Sequence, residues 1–341
     1  MSWWSDDDVD EPYGEYDESA VRSRPNPKGN RPRTKIRPEH ANAQEGRVIT
    51  VDRGRYGVVI DEGGADERTV TAARARELGK KAIVTGDVVD LVGDTSGEPG
   101  SLARAVRVRE RETLLRRSAD DTDEVERVIV ANADQMLIVV AAANPEPRQR
   151  LVDRYLVAAF DAGIRPLVVV TKTDLADPAE FLSNFSDLDL EVYLSRQDDP
   201  PVDELRERLA GHRTVAVGHS GVGKSTLVNA LVPGADRATG RVNEVTGRGR
   251  HTSSSTVSLR LPTGGWIIDT PGVRSFGLGH VDRGNVLRAF TDLAAIAEGC
   301  PRGCTHMPDS PDCAIEEAVE RGEIARHRLD SAQRLLAALG A

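Results

Sequence analysis

Gly218-His219-Ser220-Gly221-Val222-Gly223-Lys224-Ser225 is the stretch on which the reading of this chain turns. It fits the pattern G-x-x-x-x-G-K-[ST], a loop whose glycines let successive backbone N–H groups point at one anion. Lys224 would reach the outer phosphates of a nucleotide, and the Ser225 hydroxyl would ligate Mg²⁺. The flanks agree. Thr214-Val215-Ala216-Val217 reads as a buried strand. Thr226-Leu227-Val228-Asn229-Ala230-Leu231 reads as a helix, with Thr226 at the N-terminus that favours phosphate. A chance Gly-rich turn would lack this strand–loop–helix context. Residues 218–226 are therefore candidate nucleotide contacts.

Two further segments bear on which nucleotide binds. An apolar run at 166–170 ends in Thr171-Lys172-Thr173-Asp174. This is similar to the guanine-reading motif Asn-Lys-x-Asp, with Thr in the first place. The Asp174 carboxylate would accept hydrogen bonds from the N1–H and exocyclic amine of guanine, which adenine does not offer, and the Lys172 stem would cover the base. The bland alternative for Asp174 is a helix N-cap. A strand at 265–268 leads into Asp269-Thr270-Pro271-Gly272. Asp269 stands where such proteins hold Mg²⁺, and the Gly272 N–H where the γ-phosphate is sensed. Between them, residues 240–255 are rich in Gly, Arg, Ser and Thr and read as a switch loop. Thr252 is the expected contact to Mg²⁺ and γ-phosphate, with Ser253 and Ser254 as rivals.

Order decides the architecture. In ordinary GTPases the phosphate loop comes first and the guanine motif late. Here residues 171–174 precede 218–225, and Tyr193-Leu194-Ser195-Arg196, with Ser195 as a base-loop contact, also comes early. The expected central fold is a circularly permuted P-loop GTPase on a doubly wound α/β sheet.

Cys300, Cys304, His306 and Cys313 form a fourth constellation: all three cysteines of the chain and one of its seven histidines within fourteen positions. Three thiolates and an imidazole complete a tetrahedral structural Zn²⁺ site with no open position. Reduced cysteines beside a chance histidine are the alternative.

The rest of the chain sets bounds. Residues 1–44 pair an acidic run with a basic, Pro-rich one and offer little apolar material for a core, so they are expected to be a disordered tail. Between 45 and 117, five β-branched runs (47–51, 56–60, 68–71, 87–92, 102–108) suit a small barrel. An OB-fold leads and an SH3-like barrel is the alternative. Arg104, Arg107, Arg109 and Arg111 would alternate onto one strand face, as an RNA contact or a solvated surface. Residues 118–279 hold the GTPase motifs, and 280–341 read as a helical, zinc-binding domain. The net charge of −10 argues against a protein that coats nucleic acid with its whole surface. No apolar run reaches membrane-span length and the acidic start lacks a signal pattern. The odd count of three cysteines implies no disulfide framework, so a reducing, cytoplasmic setting is expected.

A barrel, a permuted GTPase and a Cys/His lobe in that order resemble the RsgA (YjeQ/EngC) family. Arg248-Gly249-Arg250-His251-Thr252 is similar to its switch signature and Asp269-Thr270-Pro271-Gly272-Val273-Arg274 to its Mg²⁺ motif. The departures are Thr171 and the zinc spacing, x₃ and x₆ where the family more often has x₄ and x₅. The resemblance implies a monomeric bacterial GTPase acting late in assembly of the small (30S) ribosomal subunit. It implies GTP hydrolysis to GDP stimulated by that subunit, rRNA contact through barrel and zinc lobe, and release after hydrolysis. Val273 stands where Ras-like proteins place the Gln that orients the attacking water, so slow intrinsic turnover is expected, with His251 as the candidate water-positioning group. His251 has bland alternatives as an exposed loop residue or an RNA contact. Two other functions compete: an RNA-binding scaffold in which GTP is structural and hydrolysis incidental, and an ATP-dependent enzyme for which Asp174 is irrelevant.

Overall fold

The computed structural model describes residues 40–79, 82–118, 126–235, 256–270, 276, 278–279 and 281–340. The expected tail falls almost wholly outside these residues. Strands β1 (Gln44–Asp52), β2 (Arg55–Ile60), β3 (Arg68–Arg74), β4 (Val88–Gly93) and β5 (Ala103–Val108) overlap the five β-branched runs. They pair in the order β1-β2-β3-β5-β4, and β4 returns to β1 and closes the barrel. Only β3–β5 is parallel. This is the five-stranded OB arrangement, which settles the choice against the SH3-like alternative. Period-2 alternation sends Val48, Val58, Val70, Val89 and Leu91 into one core.

The arginine row departs from simple alternation. A register shift opposite Asp90 and Leu91 inserts an extra β5 residue, so Ala105 and Val106 are both buried while Arg104 and Arg107 are both exposed. Three of the four cations are tied to the barrel's own carboxylates. Arg107 lies 3.4 Å and Arg109 2.8 Å from Asp90, and Arg111 clasps the fully buried Asp87 through bonds of 2.7 and 2.9 Å.

β6 (Leu114–Ser118) and β7 (Glu126–Ala131) form a separate hairpin. A bridge from Val130 to Thr85 links β7 to the barrel.

The α/β layer follows as β8 (Gln135–Ala141), α1 (Gln149–Asp161), β9 (Arg165–Thr171), α2 (Ala179–Ser183), β10 (Glu191–Ser195), α3 (Val202–Leu209), β11 (Arg213–Gly218), α4 (Lys224–Leu231), β12 (Val257–Arg260) and β13 (Trp266–Asp269). The sheet order is β10-β9-β8-β11-β13-β12, parallel except for β12. All seven residues of β8 are buried, as expected of a parallel strand covered on both faces. The last parallel strands of the sheet come first in the chain, which is the circular permutation read from the motif order. At its outer side β12 pairs with β1, so barrel and α/β layer share one eleven-stranded sheet.

Helices α5 (Arg283–Leu287), α6 (Thr291–Ala297), α7 (Ala314–Glu320) and α8 (Arg326–Ala337) close the chain. Leu329, Ala332, Leu335 and Leu336 follow the spacing of one helix face and pack with Val152, Tyr155 and Leu156 of α1. Among the described residues no helix is long and apolar enough to cross a membrane.

Candidate functional site

The phosphate loop is shaped by close approach and by left-handed backbone. A Cβ on Gly218 would lie 2.5 Å from the Val139 carbonyl oxygen of the neighbouring strand, so only glycine lets β11 end there. Gly223 adopts φ 92°, which favours glycine, and is the N-cap of α4. No side chain caps α4, and its first turn holds no acid, so its leading N–H groups and the positive end of its dipole face the cleft. From that first turn the Lys224 ammonium forms an ion pair with Asp269 at the end of β13. Thr270 donates to the Ala216 carbonyl at 2.9 Å and fixes β13 against β11.

The guanine-like segment meets this loop. Thr171 and Lys172, at the end of β9 and two strands from β11, line a cleft of about 690 Å³ with Ser195, Gln197, Asp269 and residues 218–221 and 223–226. Thr171 is buried, and its hydroxyl lies 2.5 Å from the Val222 carbonyl, so this side chain ties the two loops together. Lys172 adopts φ 56° and its ammonium donates to the Gly221 carbonyl at 2.8 Å and to that of Asn144. The Asp174 Oδ1 accepts from the Gln197 N–H at 3.1 Å, and the Thr173 N–H donates to the Ser195 carbonyl at 3.3 Å. The carboxylate thus keeps lone pairs for a base while its orientation is fixed. His219 turns back to its neighbour, Nδ1 lying 2.9 Å from the Ser220 carbonyl oxygen. Gln197 and Asn144 escaped the sequence reading because both act through backbone groups, which leave no side-chain signature. His251, Thr252 and Gly272 lie outside the described residues.

The Cys/His group comes together between α6 and α7. The ligand atoms of Cys300, Cys304, His306 and Cys313 all lie within 4.8 Å of one another. His306 Nδ1 stands 3.6 Å from Cys300 Sγ and 3.8 Å from Cys313 Sγ. Zn–S bonds near 2.3 Å and Zn–N near 2.0–2.1 Å give a tetrahedral S···N edge of about 3.6 Å, so the donors fit one such ion. Gln333 of α8 donates to the His306 carbonyl at 3.0 Å and fixes the ligand loop against the helices. Burial, with the nearby Arg283 charge, pushes the His306 pKa down and keeps the imidazole in its ligating neutral form. Burial pushes the Cys313 thiol up to about 11, a cost that a cation beside it would reverse.

Known proteins supply an independent line. The family described as RsgA GTPase matches residues 108–279. A small ribosomal subunit biogenesis GTPase RsgA of Pseudomonas aeruginosa is 37% identical over 308 residues, covering 87% of this chain and 86% of that protein. Its namesake from Chlorobaculum tepidum is also 37% identical, over 80% of this chain and 90% of that one. Among solved structures, YjeQ from Thermotoga maritima superposes with a TM-score of 0.63 at 25% identity, covering 88% of this chain and 99% of its own. YloQ, described as a circularly permuted GTPase, shares the fold at a TM-score of 0.63 and 24% identity, covering 89% and 96% of the two chains.

Proposed function

The chain belongs to the RsgA GTPase family and is a GTPase, and from that premise we propose that it hydrolyses GTP to time late maturation of the small ribosomal subunit. One observation carries the reading: Thr171 and Lys172 of the early motif and the 218–225 loop, far apart in sequence, line a single cleft, and Asp174 is held beside it by the N–H of the lining residue Gln197. In this reading Asp174 reads the guanine edge and Lys172 covers the base. Thr171, Thr173 and Ser195 hold the base loops, and the 218–226 backbone with Lys224 cradles the phosphates. Ser225, Thr252 and Asp269 would hold Mg²⁺, which when bound neutralises charge on the phosphate oxygens. The Gly272 N–H would sense the γ-phosphate, and His251 would position water once the subunit orders the switch loop. Cys300, Cys304, His306 and Cys313 would hold one structural Zn²⁺, whose role is to staple the C-terminal helices.

Barrel (45–117) and zinc lobe (280–341) would flank the GTPase part (118–279) and contact rRNA, with the protein acting as a cytoplasmic monomer. The decisive experiment pulls down ribosomal subunits with the protein loaded with a non-hydrolysable GTP analogue or with GDP, and measures hydrolysis with and without subunits. Retention of the small subunit in the triphosphate state, loss with GDP and faster turnover are expected. A rate unmoved by subunits would sink the timing role and leave an RNA-binding scaffold. Wild-type stimulated turnover in His251→Ala would remove that residue from the mechanism.

A further inference from the structure

The seam between barrel and α/β layer contains a row of residues that reaches the site. Thr50 of β1 pairs with Val257 of β12, Val257 pairs with Asp269 of β13, and Asp269 pairs with Ala216 of β11. Asp269 is also the ion-pair partner of Lys224. The barrel's hold on β12 extends beyond this row. The Thr85 hydroxyl, on a side chain that is 1% exposed, donates to the Thr256 carbonyl at 3.2 Å. At the far end of the four-residue strand, Arg260 is paired with Glu67 of the β2–β3 loop. Arg260 also lies over the Trp266 ring at 5.6 Å. The Trp266 indole N–H donates to Glu62 of the same barrel loop, and Arg47 of β1 holds the other Glu62 oxygen at 2.7 Å. Both ends of β12 and the start of β13 are therefore fastened to barrel side chains.

A four-residue strand has little hold of its own. One side of β12 has the full register with β13, and the other has a single residue pair with the barrel. In sequence β12 begins five positions after Thr252, so its first residues anchor whatever the switch loop presents to the nucleotide. We infer that the barrel supplies positioning residues for the GTPase, with Thr85 and Glu67 holding β12, and through it Asp269, where turnover requires them. This rests on the GTPase reading above and adds that the barrel belongs to the machinery of turnover. None of these side chains touches the cleft, so they act through β12 and β13.

Charge reversal tests the inference on the full-length, zinc-loaded protein. Glu67→Arg and Arg260→Glu are each expected to lower kcat for GTP about fivefold or more with KM within about twofold, and the double reversal to restore at least about half the rate. Affinity for a fluorescent methylanthraniloyl-GDP should stay within about twofold in all three, because Thr85, Glu67 and Arg260 hold none of the loops at 171–174, 195–197 and 218–226 that would meet GDP. Thr85→Val keeps the volume and removes the donor, and should lower kcat in the same way. The thermal transition of the barrel, followed by circular dichroism, identifies any variant that unfolds. Folded single reversals with wild-type kcat, or a double reversal no faster than the singles, would overturn the inference. So would a parallel loss of GDP affinity. Thr252→Ala tests the switch assignment separately: full turnover there, with Glu67→Arg still slow, removes Thr252 and leaves the barrel's role standing.

Discussion

Asp153 of α1 is buried at the face where the C-terminal helices dock, with 4% of its side chain exposed. Its Oδ1 lies 3.3 Å from Arg334 Nε of α8 but makes no hydrogen bond. Burial pushes its carboxyl up from 3.8 to about 6, and the Arg334 charge offsets only part of this. At 1.36 kcal/mol per unit, the shift is a native-state cost of about 3 kcal/mol at neutral pH. The native state holds this proton more tightly than the unfolded chain. The cost is therefore absent below about pH 4, grows through the window to about 6 and is complete above it. Asp153→Asn removes the charge in nearly the same volume. Arg334, 27% exposed and stacked on Phe185 at 5.3 Å, remains, and the cost above is already net of its charge; what offsets the gain is the new amide, buried without a partner at about 1–2 kcal/mol. The net expectation is a variant about 1–2 kcal/mol more stable than wild type at pH 7.5, with the difference shrinking or reversing toward pH 5. Denaturant titration of the zinc-loaded protein at both pH values measures this, comparing variant and wild type at the same pH. A variant about 3 kcal/mol less stable at pH 7.5, the usual result of breaking a buried ion pair, would refute the reasoning.

Other expectations concern the site. Lys224→Ala removes the cation at the phosphate loop and leaves Asp269 without its partner, so nucleotide affinity should fall about 100-fold or more by equilibrium titration. Asp174→Asn should weaken GTP by about 10²–10⁴-fold and favour xanthosine triphosphate, whose 2-carbonyl accepts from the new amide; unchanged GTP binding would dismiss Asp174 as the base reader. Cys313→Ser should lose stoichiometric zinc by metal analysis and loosen the packing of α7 and α8, at a cost on the order of several kcal/mol.

Side-chain chemistry was legible in the sequence where it repeats a known geometry. The glycines of 218–223 and the Cys/His spacing point to one loop and one cluster because few other arrangements use those residues so close together. The barrel was legible from β-branched runs, since each strand buries alternate residues such as Val48 and Val58. Backbone-mediated and long-range features were not. The bulge in β5 moves Arg107 without any glycine or proline to mark it. The strand 114–118, Leu-Leu-Arg-Arg-Ser, lacks the alternation that would separate it from a loop. The Thr171 hydroxyl is directed at the Val222 carbonyl, a partner 51 residues away that spacing cannot disclose.

A barrel that closes on itself and a layer that continues into it leave few ends. Among the described residues, β10 is the one strand of the main sheet with a neighbour on a single side. It carries Val192 and Leu194 at 39% and 52% exposure. Unwanted strand-to-strand association of the folded main sheet therefore has one place to begin. What guards it is brevity, five residues, and the charged cluster of Glu191 with Arg165 and Arg208 at its start.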